Sequence, residues 1–107
     1  MRNDIITLLF TLAITPFIFD NGPDPISDGF RRVIDEDSLI GYADSTGKIV
    51  IKPQFAFAYP FEDGIAKVTL KGKMVEVPLS QGEYHRFESD FWFCIDKTGT
   101  KVKCKNR

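Results

Sequence analysis

The sequence predicts an all-β protein built from antiparallel hairpins, and three observations carry that expectation. The chain of 107 residues breaks into short segments of period two, with polar turn residues between them. The pattern Asp-x-Thr-Gly occurs twice, at Asp44-Ser45-Thr46-Gly47 and Asp96-Lys97-Thr98-Gly99, each time after a strand-like segment. No segment beyond the N-terminal stretch sustains a period of 3.6. Ten Phe, three Tyr and one Trp supply core volume and suit pleated, half-buried surfaces.

The N-terminus is read separately. Arg2 precedes an apolar run at residues 5–19, interrupted by Pro16. It has the length of a secretory signal core and falls short of the ~20 apolar residues that span a bilayer. Residues 1–22 are therefore expected to be an export leader, and any helix is expected only there. Asp4 dilutes the positive start, and Thr11-Leu12-Ala13 is the best small-x-small cleavage site. A strand or helix of the mature fold, or an uncleaved membrane anchor, is the alternative. The expected localisation is periplasmic or secreted.

From residue 23 onward a single β domain is expected. Residues 22–27, with Gly22, Pro23, Asp24, Pro25 and Ser27, are expected to form a loop. Residues 30–34 make a strand in which Phe30, Arg32 and Ile34 alternate with Arg31 and Val33. Residues 35–38 turn the chain. Residues 40–43 and 48–52 form a hairpin whose apex is the first Asp-x-Thr-Gly. Asp44 accepts hydrogen bonds from the amides ahead of it, and Gly47 supplies a positive φ, which together suit a three-residue loop with a bulge. Asp96 and Gly99 are expected to do the same between residues 92–96 and 100–104. The aspartic-protease triplet has Asp, Thr and Gly contiguous, so neither copy reads as a catalytic site.

Pro53 is expected to end its strand by removing a donor. Phe55, Phe57, Tyr59 and Phe61 recur with period two as one aromatic face, and Glu62-Asp63-Gly64 turns. Residues 65–70 are expected to pair with residues 73–79 through Lys71-Gly72, and residues 80–90 to form a polar loop.

An internal repeat underlies these elements. Pro25 to Phe30 aligns with Pro60 to Ile65, and Ile40 to Asp44 aligns with Trp92 to Asp96. The chain thus divides into units at about 24–59 and 60–107, the second lengthened by an insertion at about 74–91. Such units stack as a meander or small β-solenoid, each burying its neighbour's aromatic face. The stretch GYADSTGKIVIKPQFAFAYPFEDGIAKV, with WFCIDKTG at residues 92–99, resembles the bacterial WG (KWG) repeat. Its departures are Ile40 in the Trp slot, and Phe93 and Cys94 in the Gly and Tyr slots. The resemblance implies an exported protein without enzyme activity.

Function classes narrow accordingly. The formal net charge of −1 gives no electrostatic drive toward nucleic acid, and the lysines of the tail read as a solvated edge strand. Membrane contact is expected only through an uncleaved leader. Cys94 and Cys104 make an even pair suited to a disulfide, although a regular ladder sets Cys94 opposite Val102 and leaves the two cysteines diagonal. No ligand spacing points to a metal, and no cofactor is expected. His85 is the only histidine; it could act as a base beside Glu83, Glu88 and Asp90, but no nucleophile accompanies it. The inserted loop is the expected recognition element, through Tyr84, His85, Arg86, Phe87 and Trp92. The function expected is a non-enzymatic exported module binding a protein or a cell-surface polymer. The alternatives are a small inhibitor or immunity-type protein using the acidic residues 35–37, and a hydrolase dependent on His85.

Overall fold

The computed structural model describes residues 14–19, 22–82 and 85–105. Every regular element among them is a strand, and every pairing is antiparallel. Twelve strands follow in order: β1 Thr15–Pro16, β2 Ile18–Phe19, β3 Gly22–Pro23, β4 Phe30–Ile34, β5 Ile40–Asp44, β6 Ile49–Phe55, β7 Phe57–Ala58, β8 Ile65–Thr69, β9 Lys73–Glu76, β10 His85–Glu88, β11 Phe93–Asp96 and β12 Lys101–Val102.

Two four-stranded sheets dominate. The first has the order β1-β4-β5-β6 and the second β7-β8-β11-β12. Their registers correspond over the first three strands, whereas β6 pairs with β5 through register shifts that β12 does not show against β11. Pro16 faces Val33 and the Phe17 amide donates to the Arg32 carbonyl at 3.1 Å. Likewise Ala58 faces Val68, and the Tyr59 amide donates to the Lys67 carbonyl at 2.9 Å. Arg32 faces Tyr42 in one sheet and Lys67 faces Cys94 in the other. Two small hairpins, β2–β3 and β9–β10, are added to this plan.

The turns repeat as well. Asp28-Gly29 and Asp63-Gly64 both have positive φ at both residues, 56° and 84° against 54° and 81°. This is the two-residue hairpin turn whose twist matches its flanking strands, and Asp-Gly is a favoured pair for it. The Asp-x-Thr-Gly apices close as three-residue loops: the Gly47 amide donates to the Asp44 carbonyl at 3.0 Å and the Gly99 amide to the Asp96 carbonyl at 2.9 Å. A third loop of this kind spans residues 35–39, where Ser38 takes the left-handed position at φ 65°.

The hydrophobic core lies between the sheets. Phe17, Ile40, Tyr42, Ile51 and Phe55 from the first meet Phe57, Ala58, Phe61, Ala66, Val68 and Ile95 from the second. The Tyr42 and Phe61 rings pack edge-on at 4.6 Å, and Phe61 meets Phe30 at 5.1 Å. The aromatic run splits at Ala56: Phe55 closes β6 and Phe57 opens β7, so the chain passes from one sheet to the other there. Phe55, Phe57 and Phe61 are buried, whereas Tyr59 is 38% exposed.

Several expectations change. Thr15 to Phe19, assigned to the leader, pair with or adjoin the first sheet, and Phe17 is in the core. The rest of the 1–22 stretch, apart from Ile14 and Gly22, lies outside the described residues. Pro53 does not end its strand. It sits in β6, an edge strand with register shifts, where a missing donor leaves no neighbour unpaired. Residues 65–70 do not pair with residues 73–79, because β8 already has β7 on one side and β11 on the other. β9 pairs instead with β10, which turns four residues of the expected loop into a strand.

Candidate functional site

The inserted hairpin carries most of the residues singled out for recognition. Its root is fixed by Thr69, a fully buried hydroxyl that bonds the Lys71 carbonyl at 3.0 Å and the Ser89 hydroxyl at 2.8 Å. Gly72 permits a close crossing: a Cβ there would lie 2.3 Å from the Glu88 carbonyl oxygen and 2.4 Å from the Phe87 ring. Phe87 stacks on Phe57 at 5.1 Å, and Trp92 packs against Phe57, Tyr59 and Phe87. Both are half-buried anchors of the hairpin. Arg86 is exposed and paired to Glu88 at 2.8 Å. His85 is half-buried, facing Glu76 across the ladder. Tyr84 lies outside the described residues. Leu70, Met74, Leu79 and Phe91, on the hairpin and its roots, are exposed, as are Ile18, Ile26, Val50 and Tyr59 elsewhere among the described residues.

The turn aspartates are bound to their own loops. Asp44 Oδ1 accepts from the Thr46 hydroxyl at 2.6 Å, the Thr46 amide at 2.9 Å and the Lys48 amide at 3.1 Å. Asp96 repeats these contacts with Thr98 and Thr100 at the same distances. The threonine hydroxyl, helped by the amides, holds each carboxyl below the usual carboxylate range. Thr is thus selected at the third position because it donates twice. Asp35 uses the same carboxylate oxygen on the Asp37 and Leu39 amides at 2.9 Å. The acidic stretch expected as a contact surface is therefore, at Asp35, a turn brace.

One charged site was not anticipated. Arg32 and Asp24 are 7% and 8% exposed and form a two-pronged ion pair. Arg32 Nε donates to Asp24 Oδ2 and Nη2 to Oδ1, each at 2.7 Å. The remaining Nη1 donates to the Ala58 carbonyl at 3.0 Å, across to the second sheet. The guanidinium lies 4.8 Å from the Phe17 ring centroid and 5.8 Å from that of Phe57. The signal was present in the alternation: Arg32 shares a face with Phe30 and Ile34, so it must be buried and needs a carboxylate. Nearby, burial pushes the Tyr42 hydroxyl well above its usual range, and it donates to the Tyr59 carbonyl at 2.6 Å.

The second sheet presents the equivalent face as an open cleft of about 460 Å³. Tyr59, Pro60, Glu62, Ile65, Lys67, Cys94, Cys104 and Lys105 line it. Cys94 and Cys104 are joined by a disulfide with their Cα atoms 5.2 Å apart. The ladder keeps Cys94 opposite Val102, but β12 ends at Val102 and the chain then leaves the ladder, bringing Cys104 to Cys94. Lys67 Nζ sits 5.1 Å from the Trp92 ring and 5.7 Å from that of Tyr59. Among the described residues, no group of three or more His, Cys, Asp or Glu side chains is placed to hold a metal ion.

Paired sheets of one register, closed by matching turns, define a protein of tandem β-hairpin units. Residues 40–73 match the family model described as WG containing repeat, and the chain carries a repeat of that family over this span. No curated protein and no solved structure matches the chain.

Proposed function

We propose that the protein is a non-enzymatic, exported β-repeat module that binds a protein or a cell-surface polymer through its inserted hairpin. The observation that carries this reading is the hairpin itself. It breaks the repeat, is anchored by Phe87 and Trp92, and exposes Met74 and Leu79. Apolar side chains raised on a rigid root are suited to contact with another molecule. Export draws support from the disulfide, since such bonds persist in oxidising compartments. The matching registers and turns support a two-unit β-solenoid.

The test is capture from cell-envelope and cell-wall fractions by the full chain and by a Met74→Ser, Leu79→Ser variant. Capture should fall about tenfold or more in the variant, in keeping with loss of two interface anchors. Unchanged capture removes the hairpin from recognition. A hydrolase screen in which activity appears and is abolished by His85→Ala would replace this reading with an enzymatic one.

A further inference from the structure

The two sheets differ at one equivalent place, and the difference points to a ligand. In the first, the cation of β4 is Arg32, and its partner is the carboxylate of Asp24. That carboxylate arrives on the Pro23-Asp24-Pro25 segment, after the β2–β3 hairpin. In the second, strand register puts Lys67 at the place of Arg32 and Tyr59 at the place of Phe17. The chain has no hairpin there. It runs directly from Tyr59 through Pro60 to the Asp63-Gly64 turn, and the carboxylate it brings to the cleft, that of Glu62, forms no ion pair with Lys67. Among the described residues Lys67 makes no ion pair; its ammonium rests over two aromatic rings and faces the cleft.

We propose that this cleft is a carboxylate-binding site, in which Lys67 takes from a ligand the anion that Asp24 supplies to Arg32. Several features favour such a ligand. Part of the lining is apolar and the disulfide fixes one wall, which sets a carboxylate at Lys67 beside apolar surface. Tyr59, Pro60 and Ile65 provide a surface for the chain that bears the carboxylate. Lys105 stands at the rim, donating to the Asp63 carbonyl at 3.1 Å, and adds a second positive charge. Glu62 also lines the cleft and opposes an anion there. The carboxylate can be free or carried on an extended peptide of the Pro-Asp-Pro kind, and the two sources are separable by experiment. The site is distinct from the inserted hairpin, so its failure leaves the hairpin reading standing, and the reverse holds as well.

Trp92, the only tryptophan, touches Lys67 and reports directly on the site. The experiment is a fluorescence titration of the disulfide-bonded full chain with the capped peptide Gly-Pro-Asp-Pro-Ile-Ser, taken from residues 22–27. Saturable change is expected, weakened about tenfold or more by replacing the peptide's Asp with Asn, as charge-assisted pairing requires. Lys67→Met should weaken binding to the same degree, Lys67→Arg should retain it, and Glu62→Gln should tighten it. Sodium acetate matching the peptide assigns a free carboxylate; acetate failing where the peptide binds assigns a peptide-borne one. Equal titration by the Asp and Asn peptides, or no saturation by either peptide or acetate, overturns the proposal, and this arm needs no variant to fold.

Discussion

The two sheets share a strand order and, over their first three strands, a register, yet one holds its charge inside and the other leaves it open. Arg32 is closed in by Asp24, Phe17 and the Ala58 carbonyl. Lys67, its counterpart, stands over Tyr59 and Trp92 beside a cleft. The lesson concerns what a repeat conserves and what it frees. Backbone register and turn chemistry are kept because a one-residue slip would invert every side chain. The side chain at one ladder position is free to be a structural clamp in one unit and a surface group in the next.

The strongest way to break this comparison is to remove the two counterparts separately. Asp24→Ala strands a buried guanidinium, and breaking such a pair costs roughly 3–5 kcal/mol, a large part of the ~5–15 kcal/mol that holds a domain together. Lys67→Met removes an exposed cation and should change stability by less than about 0.5 kcal/mol. Urea unfolding of both variants measures the contrast. Comparable losses would show that the two positions are not structurally different.

The disulfide is the second asymmetry. It ties Cys104 to β11 in the second unit, where the first unit has the seven-residue β6 instead. A loop of this size contributes about 2–3 kcal/mol on the chain-entropy view. Cys104→Ala should lower stability by that amount, with faster amide exchange in β11 and β12 and little change in β5. Loss of protection spread evenly over both sheets would argue that the bond supports the whole core.

Gly41 and Phe93 occupy the same ladder position in the two sheets, and at Gly41 there is no room for a side chain. A Cβ at Gly41 would fall 2.4 Å from the Ile51 carbonyl oxygen and 2.5 Å from the Pro53 nitrogen, both backbone atoms of β6. In the second sheet the equivalent strand, β12, ends at Val102. Gly41→Ala is expected to destabilise by roughly 1–3 kcal/mol through overpacking, read as a shift in the urea midpoint.

How much of this was legible in the sequence depends on the range of the cause. The hairpin apices were legible because Asp44 and Asp96 act within four residues, and turn chemistry is local. The register that sets Cys94 opposite Val102 followed from the apex. Pairings across the fold were less accessible. Nothing near Lys71-Gly72 says that both edges of β8 are already taken by β7 and β11. The packing of Phe17 was not legible, because an apolar run has the same composition whether it fills a core or a signal. Arg32 was written into its alternation, but its partner arrives from a Pro-flanked loop on another element, and only the fold shows that Asp24 reaches it. The cleft needed both sheets, since an open face is recognised by comparison with the closed one.

The smallest effect tests where the units are alike. Asp44 and Asp96 make the same three contacts at the same distances, so their titration should be the same. Each carboxyl is held below its ordinary value in the folded state, chiefly by a threonine hydroxyl. A depressed folded value means the unfolded chain takes up the proton first, so the contribution is complete above the ordinary carboxylate value. It is lost as pH falls through the folded one. Asp44→Asn and Asp96→Asn should therefore differ from the parent most near neutral pH and converge with it in strong acid, each by a similar small margin. Urea midpoints measured across the acid range give the comparison. A gap for either variant that does not close on acidification would mean that its loop depends on shape rather than on the charge, and the likeness of the two turns would end there.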